Sequence, residues 1–321
     1  MKTSLKQACT LIRDGKLVAM PTETVYGLAA DATNDHAVAL VFETKQRPRI
    51  NPLISHILDL EMAKKIALFN PLALKLAQSF WPGPLTLVLP RLDECPVSSL
   101  ACAGLPTIAL RVPDHPLAQE LIKSVGRPLC APSANPFGGI SPTTADHVRN
   151  GLGDKIEMIL DGGACGVGLE SSIIKIEDDE AILLRPGGLP RLDIENVIGK
   201  PLITPAQPHK IEAPGMLASH YAPKARLRIN VTIPEKNEAF LGFGPYGEFP
   251  NSLNLSPAAD TLEAAANLFA MLHQLDSLCD RENLSGIAVA PISGDGPKSA
   301  LSEAINDRLQ RAAAPRNLTE N

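Results

Sequence analysis

A chain of 321 residues, 45% hydrophobic and 20% charged, carries enough apolar sequence for one large domain or two. Its net charge of −5 and aromatic content of 4% argue against nucleic acid as the main partner, local basic patches aside. Six scattered cysteines (Cys9, Cys95, Cys102, Cys130, Cys165, Cys279) form no C-x-x-C pair, which argues against a structural zinc site and a disulfide framework and reads as buried thiols in a reducing compartment.

Residues 1–14 are charged throughout and lack a signal-peptide apolar core, and no apolar run reaches the ~18 residues of a membrane span. A cytoplasmic, soluble protein with no membrane partner is expected.

In chain order, the apolar pattern predicts helix 5–14, strand 17–20, helix 36–44, helix 71–80, strand 85–89, strand 108–112, helix 116–124, helix 144–150, strands 156–160, 172–176 and 182–184, and helix 192–198. Pro71 and Pro116 suit first-turn positions, where the missing N–H costs little. Such alternation favours a twisted α/β sheet over residues 1–199. Five prolines then punctuate 200–223, a linker stiffened by proline. Strands at 227–231, 239–243 and 287–292 and helices at 261–278 and 299–312 predict a smaller α/β, Rossmann-like domain over 224–321.

Polar clusters follow several predicted strands, a usual place for ligands in α/β sheets. The run P-T-E-T-V-Y-G-L at 21–28 sets three hydroxyls and a carboxylate after strand 17–20. Lys45 and Arg47 end a helical run, where two cations also suit the helix dipole; on a proline-flanked loop they suit a polyphosphate better. Arg111 ends a strand, as a surface ion pair or a cation for a substrate carboxylate. His56 lies on the apolar, strand-like run 52–57, where a core histidine is as reasonable as a ligand. Ser133 and Asn135 follow an apolar strand, and Ser141 or Thr143 would cap the helix beyond. Glu170, Ser171 and Ser172 form the last cluster. Together they suggest a site for an anion and a small polar molecule.

Other motifs fail. The stretch 294–299 (G-D-G-P-K-S) has the wrong spacing for a Walker A loop. The G-x-G-x-x-G at 242–247 runs toward Pro250 where a helix is required. Neither H-E-x-x-H nor G-x-S-x-G occurs.

In order, the pieces 21–28, 45–53, 80–87 (F-W-P-G-P-L-T-L), 107–113, 131–135, 141–143, 170–173, 184–187 (L-R-P-G), 213–223 (A-P-G-M-L-A-S-H-Y-A-P) and 304–315 (A-I-N-D-R-L-Q-R-A-A-A-P) resemble the YrdC-like family of L-threonylcarbamoyladenylate synthases in its long, two-domain form. The resemblance covers nearly the whole chain, with small departures at Ala29, Phe137-Gly138 and Ser172 that remove no charge. It implies an open mixed sheet with helices. It implies a nucleotidyltransferase joining L-threonine, bicarbonate and ATP into L-threonylcarbamoyl-AMP and pyrophosphate, for tRNA modification completed by a separate threonylcarbamoyl transferase complex. Mg2+ would arrive with the phosphates rather than in a protein cage. By residue matching, Lys45, Arg47, Ser133 and Asn135 would form the catalytic, nucleotide-facing set. Asn51, Thr107, Ser141, Arg185 and Tyr221 would add ATP contacts, and Thr24, His56, Arg111, the Ala131 backbone and Ser171 would hold threonine. Tyr221 lies in the linker, so the linker, rather than the second domain's own surface, is expected to close over the nucleotide. Two rivals are an RNA-binding YrdC-like module without adenylation and a carbamate-adenylating enzyme of hydrogenase maturation. The latter would carry zinc-finger cysteines and an acylphosphatase-like region, neither visible in this sequence.

Overall fold

A computed structural model describes residues 2–205, 211–216, 219–246, 249–293 and 299–315. The first part builds α1 (Lys2–Arg13), β1 (Val18–Met20), β2 (Gly27–Asp31), α2 (Asp35–Lys45), β3 (Ile54–His56), α3 (Leu60–Ala63), α4 (Pro71–Phe80), β4 (Leu85–Pro90), β5 (Thr107–Arg111), α5 (Pro116–Val125), β6 (Leu129–Cys130), α6 (Ala145–Leu152), β7 (Met158–Ile159), β8 (Ser172–Glu177), β9 (Glu180–Arg185) and α7 (Arg191–Ile198). The nine strands form one mixed sheet in the order β7-β1-β2-β6-β3-β5-β4-β8-β9. Local chemistry sets the helix starts. Asn70 accepts from the Ala73 N–H ahead of Pro71, and His115 Nδ1 accepts from the Leu117 N–H ahead of Pro116.

Some expectations change. The end of the P-T-E-T-V-Y-G-L run is itself strand β2, antiparallel to β1 and β6. The run is therefore a strand-to-strand connection, and its unbroken burial hid the alternation that marks a half-exposed strand. Lys45 ends α2 rather than lying on a loop, because Gln46 (φ 55°) takes the left-handed cap. The strand expected at 156–160 shortens to β7, and the one expected at 227–231 stops at Arg228, with Asn230 at positive φ.

The second part builds β10 (Leu227–Arg228), β11 (Glu238–Gly242), β12 (Ser252–Asn254), α8 (Thr261–Glu282), β13 (Gly286–Val289) and α9 (Ser302–Ala313). Its sheet is wholly parallel, in the order β10-β13-β11-β12. From Gly242 the chain goes on to the short strand β12, where a dinucleotide fingerprint would need a helix. Gly247, which completes that motif, and 294–298 of the Walker-like stretch lie outside the described residues, as do 206–210 and 217–218 of the linker.

The two parts share a core. Val25, Ile140 and Leu169 pack with Tyr221 and with Leu268 and Phe269 of α8. At Gly168 (φ +74°) a Cβ would stand 2.4 Å from the Ala265 carbonyl oxygen, so the backbones touch there. The linker is anchored on both parts. Ile203 pairs beside β9, the Ala222 N–H donates to Gly138 O, and the His220 N–H donates to Arg311 O.

Candidate active site

The buried polar residues converge where β1–β2, β3, β5, β6 and β8–β9 meet the linker. Thr22, Thr24, Arg47, His56, Arg111, Ala131, Ser133, Glu170, Ser171, Arg185, Gly215, His220 and Tyr221 all line one small cavity of about 50 Å³. A larger groove of about 1990 Å³ runs between the two parts, and it borders the polar cluster at Pro48, at Asn135 with the loop after it, and at Ala222.

On one side, His56 and Arg111 are register partners on β3 and β5. Burial first, then Arg111, pulls His56 down to about 3, so its ring is neutral. Arg111 Nε donates to Gly83 O, and Nη2 lies 2.6 Å from Glu23 Oε1. Thr24 Oγ1 and Thr22 Oγ1 are 2.9 Å apart, and Ser171 Oγ lies 2.8 Å from Thr86 Oγ1.

On the other side, Arg47 donates to Asn51 O and Pro52 O. Burial lowers Arg47 to about 9, and it stays cationic at neutral pH. Arg185 donates to Ser171 O and to Pro214 O, tying β9 to the linker. At Gly215 (φ +84°) a Cβ would meet Arg185 Cδ and Tyr221 Oη, each at 2.8 Å. The linker therefore lies pressed over the cluster. Tyr221, only 1% exposed, keeps an unpartnered hydroxyl, and burial raises its pKa.

Several expected residues stand elsewhere. Lys45 is buried and does not line the cavity. Its Nζ donates to Ser133 O at 2.6 Å, to Asn135 O at 2.5 Å and to Asn135 Oδ1 at 3.3 Å, and burial with the nearby Arg47 lowers its pKa. It clamps the 133–135 loop from behind. Asn135 faces the larger groove. Asn51 is fully buried, its amide without a partner, and lines neither cavity. Ser141 sits behind Glu170, donating to its Oε1. Thr107 stands away from both cavities. It begins the strand that Arg111 ends, roughly 13 Å away at about 3.3 Å per residue.

Sequence reasoning missed Arg308. This residue of α9 is 1% exposed and reaches the site from the second part. Its Nε donates to Glu170 Oε2 at 2.8 Å, and its Cζ lies 5.0 Å from the centre of the Tyr221 ring. Arg308 thus adds a contact from the second part beside those of the linker. The available signal was an arginine on the apolar stripe of Ala304, Ile305, Leu309 and Ala312. For Glu170, burial raises the carboxyl pKa, but Arg308, Arg185 and the Ser141 hydroxyl outweigh it and leave it below the usual range.

Among the described residues, no cluster of three or more His, Cys, Asp or Glu could hold a metal, and no helix is long and apolar enough to cross a membrane.

The fold and cavity define a two-part YrdC-type α/β protein with a linker laid over its polar site. Residues 10–187 match the Sua5/YciO/YrdC family model, described as "Telomere recombination", and residues 190–314 match the Sua5 C-terminal model, described as "Threonylcarbamoyl-AMP synthase, C-terminal domain". The chain belongs to this two-domain Sua5 family. Threonylcarbamoyl-AMP synthase of Pyrococcus abyssi is 41% identical, covering 97% of this chain and 94% of its own. That of Bacillus subtilis is 46% identical, covering 72% and 68%. The crystal structure of P. abyssi Sua5 complexed with L-threonine is similar with a TM-score of 0.87 and 38% identity, over 98% of this chain and 95% of that one. Full-length HypF, at 19% identity and a TM-score of 0.52, shares the fold over 57% of this chain and 29% of its own.

Proposed function

We propose that this protein is a threonylcarbamoyl-AMP synthase, converting L-threonine, bicarbonate and ATP into L-threonylcarbamoyl-AMP and pyrophosphate. The observation that carries the reading is one cavity lined at one side by Thr24, His56 and Arg111 and at the other by Arg47 and Arg185. It occurs in a chain similar along its length to the threonine complex of P. abyssi Sua5.

Arg111 would pair with the threonine carboxylate, with Thr24, the neutral His56, Ser171 and the Ala131 backbone around the rest of the molecule. The threonine amine adds to carbon dioxide and loses a proton, or condenses with bicarbonate and loses water, to give a carbamate. A carbamate oxygen attacks the α-phosphorus, and pyrophosphate departs. The substrates supply nucleophile and leaving group, so the protein's task is orientation and charge neutralisation. Arg47 and Arg185 would neutralise phosphate charge near Ser133 and Asn135, with Lys45 holding the loop that presents them. Glu170, the carboxylate lining the cavity, is already engaged by Arg308 and Ser141. The residues thus fit Mg2+ held mainly by phosphate oxygens and water.

A cavity of about 50 Å³ is far below the ~300–1,000 Å³ of ordinary ligand sites. The segment 200–223, between a catalytic domain of residues 1–199 and a second domain of 224–321, would therefore lift to admit ATP and then shut water out. The product is a reactive mixed anhydride, consumed by a transferase complex that modifies tRNA.

The test is ATP–pyrophosphate exchange dependent on both threonine and bicarbonate, with mass spectrometry of the product from labelled bicarbonate. A protein that binds RNA but shows no exchange is the binding module instead.

A further inference from the structure

We propose that Arg308, contributed by the second part of the chain, is a positioning residue of the nucleotide site, acting through Glu170 and Tyr221. The proposal rests on the adenylation reading above and assigns a role to α9 within that site.

A helix that only packed its apolar stripe would have no use for a guanidinium at this position, since burying a charge is costly unless it is paired. Arg308 is held from several directions. Nε donates to Glu170 Oε2 at 2.8 Å, and Nη1 donates to Pro186 O at 3.0 Å and Asp307 Oδ2 at 2.6 Å. The guanidinium lies 5.0 Å from the centre of the Tyr221 ring, within cation–π range. Nη2 is buried without a partner.

Of the residues that Arg308 contacts, Glu170 and Tyr221 line the cavity. Glu170 begins the turn whose next residue, Ser171, receives Arg185 and meets Thr86. Tyr221 Oη stands against Gly215, where a Cβ would meet it at 2.8 Å, and has no partner in a residue that lines the site. One side chain from the second part thus sets the floor of the site through Glu170 and its cover through Tyr221. Without Arg308, Glu170 becomes a buried carboxylate without its closest cation, facing the place a polyphosphate must occupy. ATP use should suffer through charge as well as through shape.

The full-length variants Arg308→Lys and Arg308→Gln test this. KM for ATP should rise about tenfold or more, further for glutamine than for lysine. Threonine affinity by calorimetry should stay within about threefold, and hydrogen exchange should quicken over 211–223. Adding Glu170→Gln to Arg308→Gln should recover part of the ATP loss at a fixed melting temperature, whereas a purely structural role would restore ATP use only in step with the melt. Should Arg308→Gln fail to fold, the lysine variant carries the comparison. The proposal is overturned if the folded variants keep ATP KM within threefold of wild type, if threonine and ATP binding fall together, or if the double variant is no better than the single. If wild-type protein shows no threonine-dependent exchange, the adenylation reading fails. Unchanged exchange over 211–223 in both variants would then overturn the seating of the linker by Arg308 separately.

Discussion

Arg111 Nη2 lies 2.6 Å from Glu23 Oε1, in a pair whose side chains are 4% and 12% exposed. The cation suited to a substrate carboxylate therefore already holds a carboxylate of its own chain. Glu23 comes from the β1–β2 connection and Arg111 from the end of β5, so the pair ties those two elements together beside the cavity that Arg111 lines. An incoming carboxylate must share Arg111 with Glu23 or displace it.

Arg111→Ala should weaken threonine binding by about 1.5–3 kcal/mol, the range for a hydrogen bond to a charged group, and leave ATP affinity nearly unchanged. Glu23→Gln should tighten threonine binding severalfold by removing the competing charge. Calorimetric titration measures both, and weaker binding in Glu23→Gln would show that Glu23 orients Arg111 rather than competing for it.

Lys45→Met keeps length but strips the donors from the carbonyls of Ser133 and Asn135. At about 1–3 kcal/mol for each of the two buried carbonyls left unpaired, stability should fall by roughly 2–6 kcal/mol, or on the order of 4–24 °C in Tm. Arg47→Ala should instead lose about 100-fold or more in turnover, as for a preorganised electrostatic group. Thermal melts beside steady-state assays separate the two; equal Tm losses in both would assign both residues to structure.

Gly215→Ala places a methyl group against Arg185 and Tyr221 and asks an L-residue to hold φ +84°. The linker should lift, and trypsin should cut between residues 200 and 224 faster, while the melt of the large sheet stays put. Wild-type cleavage rates in this variant would mean that the linker accommodates the methyl group without leaving the site.

Burial is the main force lowering His56 and His220 to about 3, and burial with the stacked His273 lowers His147 to about 4. Above about pH 6.5 these rings are neutral whether the chain is folded or not. Below it the unfolded chain takes up protons that the folded chain refuses, so stability declines from pH 6.5 toward pH 4 and below. Each fully buried histidine contributes about 1.4 kcal/mol per pH unit, or about 2 kcal/mol by pH 5. His147 and His273 stack at 4.1 Å between α6 and α8, so acid should loosen the contact between the two parts. Urea midpoints at pH 7.5, 6 and 5 measure the decline; a flat profile would contradict it.

The layered α/β class, most helices and the polar clusters were legible along the chain. Those features rest on local periodicity, capping residues and motif order, which survive in one dimension. Helix 71–80 was legible to the residue because Asn70 and Pro71 mark its start chemically. Which clusters meet is set by the packing of the folded chain. Thr107 and Arg111 share one motif and one strand, yet they lie at its opposite ends, and of the two Arg111 lines the cavity. Lys45 and Arg47 are two residues apart, yet the left-handed turn at Gln46 sends one behind the 133–135 loop and the other into the site. Arg308 lies 138 positions from Glu170, and no local pattern could join them. Their contact is decided by how α9 packs onto the first part, which is a matter of shape and buried charge in three dimensions.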